Sequence, residues 1–256
     1  DAASVCIEAG NLCDFAQAIE YRELMIAGGA VAAHQAQCGV PVPHSFVIGE
    51  RSLGSFAGTD REAAIATTRA MNEKGLAMGE MGGRGEGYYD GMPMTLMMRE
   101  IMECFETTEE ALEWMKSTPR TCEYFYVLSD AKTKNMAGIA SLARKLAEER
   151  GVTDLKIIHP GEFEERLPHP HEDTVLMSAD KRYERLSERV KENYGKLDMN
   201  GAWGLMKGGV AMKSNLHTAL FAPETLDFWA AQAGPEGEPA YTQKISKLNL
   251  RTLLQE

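Results

Sequence analysis

Residues 71–98, MNEKGLAMGEMGGRGEGYYDGMPMTLMM, are the stretch on which a reading of this chain turns. Gly75, Gly79, Gly82, Gly83, Gly85, Gly87 and Gly91 place seven glycines within seventeen positions. Each weakens a regular element, so the backbone must turn sharply or pass close to something. Two readings stand side by side: a tight strand-and-turn corner, and a wall of a binding cleft where Cβ atoms would block a ligand.

Forward of this stretch the pattern sharpens. Met94, Met97, Met98, Ile101, Met102 and Phe105 recur at the spacing of one helix face, which predicts a helix with a core-facing stripe. Thr107 with Glu110 three residues on predicts a capping box opening a second helix, Thr108–Lys116, which Pro119 stops. Glu123–Ser129 is aromatic and β-branched enough for a buried strand, with Met136–Ala140 as its partner. A short helix closed by Gly151 and a strand at Leu155–Ile158 follow. Residues 165–173, ERLPHPHED, read as loop because of their prolines. Ser178 is expected to cap a long helix with Tyr183, Leu186, Val190 and Tyr194 as its apolar stripe and Gly195 as its stop. Met199–Lys207 reads as a short helix, and Leu216–Phe221 with Leu226–Ala231 as an antiparallel hairpin.

Backward of Met71 the signal fades. Residues 62–72 fit a helix or a strand, with alanine propensity pulling toward helix. Residues 38–49 read as a loop entering a strand at Ser45–Ile48, and 14–35 as either a helix or distorted strands. Hairpins rather than repeated βαβ units argue for an α+β layered fold in one domain.

At 256 residues and 44% hydrophobic content the chain can bury a sizeable core. No apolar run approaches the roughly 18 residues of a membrane span. A leader removed before Asp1 would make the protein an exported one. The formal charge of −11 argues against nucleic acid or an anionic membrane as partner, and favours a small-molecule protein. Cys6, Cys13, Cys38, Cys104 and Cys122 form no CxxC pair and no tight framework. Fifteen methionines, mostly at helical spacing, read as core.

The P-loop, the dinucleotide glycine pattern and the GxSxG elbow are absent, and no cofactor is implied. His159, His169 and His171 beside Glu172 and Asp173 suggest a metal loop, but ligands flanked by prolines rarely converge tetrahedrally, so no metal is expected. A cysteine nucleophile remains as the chemical option, against the plain reading of each cysteine as a small buried hydrophobe. Arg182 and Arg185 stand at the start of a helix, where the macrodipole disfavours a cation. They are surface residues or are aimed into a cleft. Lys213, Ser214, Asn215 and His217 are polar groups entering an apolar hairpin, a mismatch that hints at a site.

Four blocks carry a resemblance: MNEKGLAMGEMGGRGEGYYDGMPM, RTCEYFYVLSDAKT, PHPHEDTVLMSADKRYERLSERVKENYGKLD and MKSNLHTALFAPETLDFW. Over roughly residues 45–256 the chain resembles the isopenicillin-N acyltransferase-like family of self-cleaving acyltransferases and hydrolases. These are relatives of choloylglycine hydrolase within the N-terminal-nucleophile superfamily. The resemblance implies a single domain over 1–256 with a four-layer αββα sandwich, residues 1–44 departing from the family pattern. It also implies cleavage or transfer of the acyl group of a small acylated amine by a cysteine exposed through autoproteolysis. The new α-amine, with a reference pKa of about 7.7–8, would act as base.

Residue by residue, Cys13 in LCDFAQAIE is the nearest match to the family's mature start, C-T-x-F-A-A, with Cys6 a weaker one. Arg182 in SADKRYER matches the arginine that lies beside the nucleophile, and Asn215 in KSNLH falls at the cleft floor with Lys213 nearby. Glu80 and Gly82 in GEMGG fall where an oxyanion-hole group can sit, a role that backbone amides would fill here. Cys122 reads as structural. The G-R-N-x-D segment expected shortly after the nucleophile is missing. That departure motivates an alternative: an unprocessed, inactive homologue, or an artificial sequence, that keeps the scaffold as a binding or structural protein. A homo-oligomer is compatible with all of these bounds.

Overall fold

In the computed structural model, residues 47–52, 66–88 and 90–255 are described. Strands β1 (Val47–Ser52), β2 (Ala66–Asn72), β3 (Leu76–Gly87), β4 (Cys122–Asp130), β5 (Met136–Ser141) and β6 (Leu155–Ile158) form one sheet in sequence order, with every neighbouring pair antiparallel. A second sheet holds β7 (His217–Ala222), β8 (Asp227–Gln232) and β9 (Ser246–Asn249), also antiparallel. The helices are α1 (Met94–Cys104), α2 (Thr108–Ser117), α3 (Arg144–Arg150), α4 (Asp180–Glu192), α5 (Met199–Leu205) and α6 (Leu250–Gln255).

Strand alternation sorts the large sheet into two faces. Leu76, Met78, Tyr126, Leu128 and Ile139 point to α1 and α2 and pack with Met97, Met98, Ile101, Met102, Leu112 and Met115. Met71 and Ala77 point the other way and meet Phe221 and Phe228 of the small sheet. The far face of that sheet, with Leu220, Trp229 and Ala231, packs on Tyr183, Leu186 and Val190 of α4 and on Trp203 of α5. The Trp203 and Trp229 rings lie 6.3 Å apart. Helices, sheet, sheet, helices: this is the four-layer αββα α+β sandwich.

The glycine-rich stretch resolves as turn and strand. Gly75 closes the β2–β3 turn at φ +81, where a Cβ would lie 2.8 Å from both the Ala131 Cβ and the Pro223 carbonyl oxygen. Its support is Asn72, 2% exposed. The Asn72 Oδ1 accepts from the amides of Lys74 (3.1 Å) and Leu76 (3.0 Å). Its Nδ2 donates to the carbonyls of Met102 (3.0 Å) and Phe105 (2.8 Å), the unpaired end of α1. One side chain therefore fixes the turn and stops the helix.

The capping box is present: Thr107 Oγ1 accepts from the Glu110 amide and the Glu110 carboxylate accepts from the Thr107 amide. Asp130, at the end of β4, accepts from the Thr108 amide (2.9 Å), which binds the start of α2 to the sheet. Gly151 ends α3 in the left-handed region.

Two expectations, at Ser178 and Tyr194, need correction, and one open reading is resolved. Of the two readings left open for 62–72, residues 66–72 take the strand, because pairing on both sides, with β1 and β3, outweighs alanine propensity. Val47 and Ile48, the described part of the strand expected at Ser45–Ile48, open β1. Ser178 does not cap α4; Ala179 precedes the helix with no side-chain cap bond, and the buried Ser178 hydroxyl has no hydrogen-bond partner among the described residues. Tyr194 leaves the apolar stripe, is half exposed, and donates to Asp173 Oδ2 at 2.8 Å. The readings of 14–35 and 38–46 lie outside the described residues.

Candidate active site

Helix α4 turns Tyr183, Leu186, Ser187 and Val190 inward. Its arginines fall on the flank of that stripe. Arg182 Nε donates to the Val210 carbonyl at 2.6 Å. Seven residues on, Arg189 donates from Nη1 to Leu205 and Lys207 and from Nη2 to Gly208, each carbonyl at 2.8 Å. Arg185 turns outward to Glu188 at 3.2 Å. Asp180, the first helical residue, has φ +50, a conformation that aspartate adopts more readily than most residues.

The 206–216 segment held by these arginines leads to Asn215, which is 1% exposed. Its Nδ2 donates to the His217 carbonyl (2.6 Å), and its Oδ1 accepts from the Thr218 hydroxyl (2.9 Å) and the Tyr241 amide (3.3 Å). Asn215 thus ties the start of β7 to the 3-10 turn Ala240–Thr242. Lys213, two residues earlier, is exposed beside Met212 and Ser214.

Of the residues singled out from sequence, Arg182 and the segment carrying Lys213 and Asn215 are brought together through Val210. Glu80 is not part of that group. It is buried on β3 opposite Tyr126, on the sheet face covered by α1 and α2. Burial pushes the Tyr126 phenol well above its usual pKa and the Glu80 carboxylate adds to the rise, so this tyrosine stays neutral. Gly82 pairs with Tyr124 across the same strands. Cys13 lies outside the described residues. Cys122 is buried and free, and Cys104 is disulfide-bonded.

The histidine loop docks on α4. The His169 ring stacks on Tyr183 with centroids 5.9 Å apart, and the two residues exchange hydrogen bonds through the His169 backbone. His171 Nε2 lies 3.2 Å from the Ser187 hydroxyl. Burial lowers the His171 pKa; His169 and Lys191 lower it further, against Asp173. Among the described residues no group of three or more His, Cys, Asp or Glu could hold a metal ion. No described helix is long and apolar enough to cross a membrane.

Sequence reasoning passed over Arg189. Its signal was available as an arginine two helical turns beyond Arg182 on the same helix face, but the carbonyls it serves belong to an irregular segment that no pattern reveals.

Comparison with known proteins places this geometry. No curated protein matches the chain in sequence. Two crystal structures of conjugated bile acid hydrolase from Clostridium perfringens, one variant with an arginine replaced by leucine and one with a cysteine replaced by alanine, share its fold. They superpose with TM-scores of 0.54 and 0.53 at 12% identity, each over 80% of this chain and 77% of the other. The profile of the acyl-coenzyme A:6-aminopenicillanic acid acyl-transferase family matches residues 42–236, about three quarters of the sequence. With that match, on an N-terminal-nucleophile hydrolase fold, the chain belongs to the acyl-coenzyme A:6-aminopenicillanic acid acyl-transferase family.

Proposed function

We propose that this protein cleaves or transfers the acyl group of a small linear amide through a cysteine nucleophile, within a single domain spanning 1–256. The observation that carries the reading is the family match over 42–236 on an αββα sandwich. Cys13, freed as a new N-terminus by self-cleavage, attacks the amide carbonyl with its Sγ while its own α-amine takes the thiol proton. Negative charge develops on the carbonyl oxygen, and amide donors stabilise it; Gly82 and the backbone of β3 supply candidates, with Glu80 on the same strand. The C–N bond then breaks, the amine leaves with the proton held by the α-ammonium, and a thioester remains. Water or a second amine attacks that thioester and regenerates the thiol, giving hydrolysis or transfer.

Arg182 stands beside the nucleophile in this scheme, and Asn215 and Lys213 line the floor that receives the substrate. The acidic surface suits a small substrate over nucleic acid. The test is release of free amine from a series of N-acylated amines of increasing acyl length, by wild type and by Cys13→Ala. The reading expects turnover by the wild type and a loss of at least about 100-fold in the variant. Undiminished activity in Cys13→Ala would sink it.

A second reading, a scaffold without the chemistry, has one observation in its favour: both polar atoms of Asn215 are engaged with its own chain. Absence of turnover on every amide, together with an unprocessed chain, is the outcome that selects it.

A further inference from the structure

Between α5 and β7 the chain has no regular element, yet it is anchored at both ends. At the first anchor, four carbonyls within residues 205–210 accept from two guanidinium groups of α4: Leu205, Lys207 and Gly208 from Arg189, and Val210 from Arg182. Leu205 closes α5, whose last carbonyls have no partner inside the helix. A planar fork with five N–H donors can serve three carbonyls diverging from one turn, and a lysine ammonium on a flexible stem cannot hold that geometry. At the second anchor, Asn215 ties its own end of the segment to His217, Thr218 and Tyr241. Only Met212, Lys213 and Ser214 stand out to solvent between the two.

We propose that Arg189 is a positioning residue: acting through the backbone of 205–210, it sets where the 212–214 tip and Asn215 stand, and so how the amide is presented to the nucleophile. The catalytic half of this rests on the proposed amidase reading; the positional half does not. Arg189 touches no reacting atom. Its influence passes through the segment that carries Lys213 and Asn215, so losing it loosens substrate presentation while the thiol chemistry stays in place. A misplacement of about 1 Å at a reacting pair can cost on the order of 100-fold in rate.

The experiment uses the full chain as wild type, Arg189→Ala, Arg189→Lys and Arg185→Ala, the last removing the same charge from the same helix at a residue whose guanidinium bonds to Glu188 and, among the described residues, to no carbonyl of the segment. Hydrogen exchange is followed by mass spectrometry. Exchange in 205–216 is expected to rise about 10-fold in Arg189→Ala, because the Val210 amide bonds to the Lys207 carbonyl in the turn that Arg189 braces and the 212–215 turn follows directly from it, with a smaller rise in Arg189→Lys and none in Arg185→Ala. Unchanged exchange of 205–216 in Arg189→Ala overturns the positional claim, whatever the enzyme does. If Arg189→Ala raises exchange throughout α1 and β4 as well, Arg189→Lys decides in its place, and an unmoved segment there counts as refutation.

Turnover of an N-acyl amine by the same proteins tests the other half. We expect kcat/KM to fall about 10- to 100-fold in Arg189→Ala with KM carrying most of the change, to recover in part in Arg189→Lys, and to hold in Arg185→Ala. Raised exchange with unaltered kcat/KM overturns the catalytic claim. A wild type that turns over no amide defeats the proposed function instead, and the exchange result still judges Arg189.

Discussion

The two sides of the large sheet are built for different ends. Toward α1 and α2 nearly everything is apolar, with Met78, Met97, Met98, Ile101, Met102 and Met115 fully buried. Among the polar groups kept there, Asn72 and Asp130 terminate a helix, a turn or a strand. On the far side, across the small sheet, α4 aims Arg182 and Arg189 at the carbonyls of an irregular segment, and Asn215 stitches that segment to two others. Under the proposed function, the first side serves packing and the second also places the substrate floor. Substitutions should separate accordingly: those near α1 lower stability in proportion to buried bonds lost, and those along α4 change turnover.

The largest effect on the first side is expected at Asn72. Asn72→Ala deprives four backbone groups of partners at once, and at about 1 kcal/mol or more apiece it should cost about 3–5 kcal/mol, read as a lower midpoint in urea denaturation. A loss under about 1 kcal/mol would mean the turn and the helix end are held by something else. Next comes Gly75→Ala. A Cβ at φ +81, pressed against Ala131 and the Pro223 carbonyl, should cost about 1–3 kcal/mol in the same assay, with kcat of the folded fraction unchanged.

Asp130 gives a smaller, pH-dependent effect. Burial alone would raise its pKa, but hydrogen bonds from Thr133 and Thr108 outweigh that and hold it below the usual value. A carboxyl with a depressed folded pKa stabilises above the unfolded value of about 3.9, and that stabilisation is lost as pH falls through the folded pKa. Acid unfolding of Asp130→Asn, followed by circular dichroism, should therefore be less steep below about pH 4 than that of wild type, from a lower starting stability.

The smallest effect belongs to the second side. His171 is held below its ordinary pKa by burial, then by His169 and Lys191, while Asp173 opposes. The neutral ring is the one that docks, so docking carries no penalty above about pH 6.5 and weakens as pH falls toward the folded pKa. Proteolysis within 159–174 should quicken between about pH 6.5 and 5, and His171→Asn should flatten that dependence. Equal pH dependence in both proteins would remove His171 as its cause.

Sequence made the first side legible because its signals are periodic. The stripe from Met94 to Phe105, the Thr107–Glu110 box and the strand at 123–129 all follow from spacing and composition alone. Residues 66–72 stayed open because Thr67 and Thr68 favour strand while two alanines favour helix, and pairing with neighbours on both sides decides for the strand. Ser178 misled because a hydroxyl before a helix is a cap only if the backbone turns it toward the first amides. On the second side, polar residues at the start of an apolar hairpin drew the eye to Asn215, which is buried and bonded to three of its neighbours. Arg189 stayed hidden because hydrogen bonds to the carbonyls of a distant loop leave no trace in residue order. Glu80, singled out from its place in a motif, lies buried opposite Tyr126, and no spacing in the sequence reveals that pairing.

The central claim is that Cys13 becomes the N-terminal nucleophile of an amide-cleaving or acyl-transferring enzyme. Intact mass and N-terminal sequencing of the purified wild type beside Cys13→Ala test it most directly. A new terminus at Cys13 in the wild type and an uncleaved junction in the variant are the expected result. A wild-type chain that remains continuous through Cys13, or begins at another residue, would contradict it.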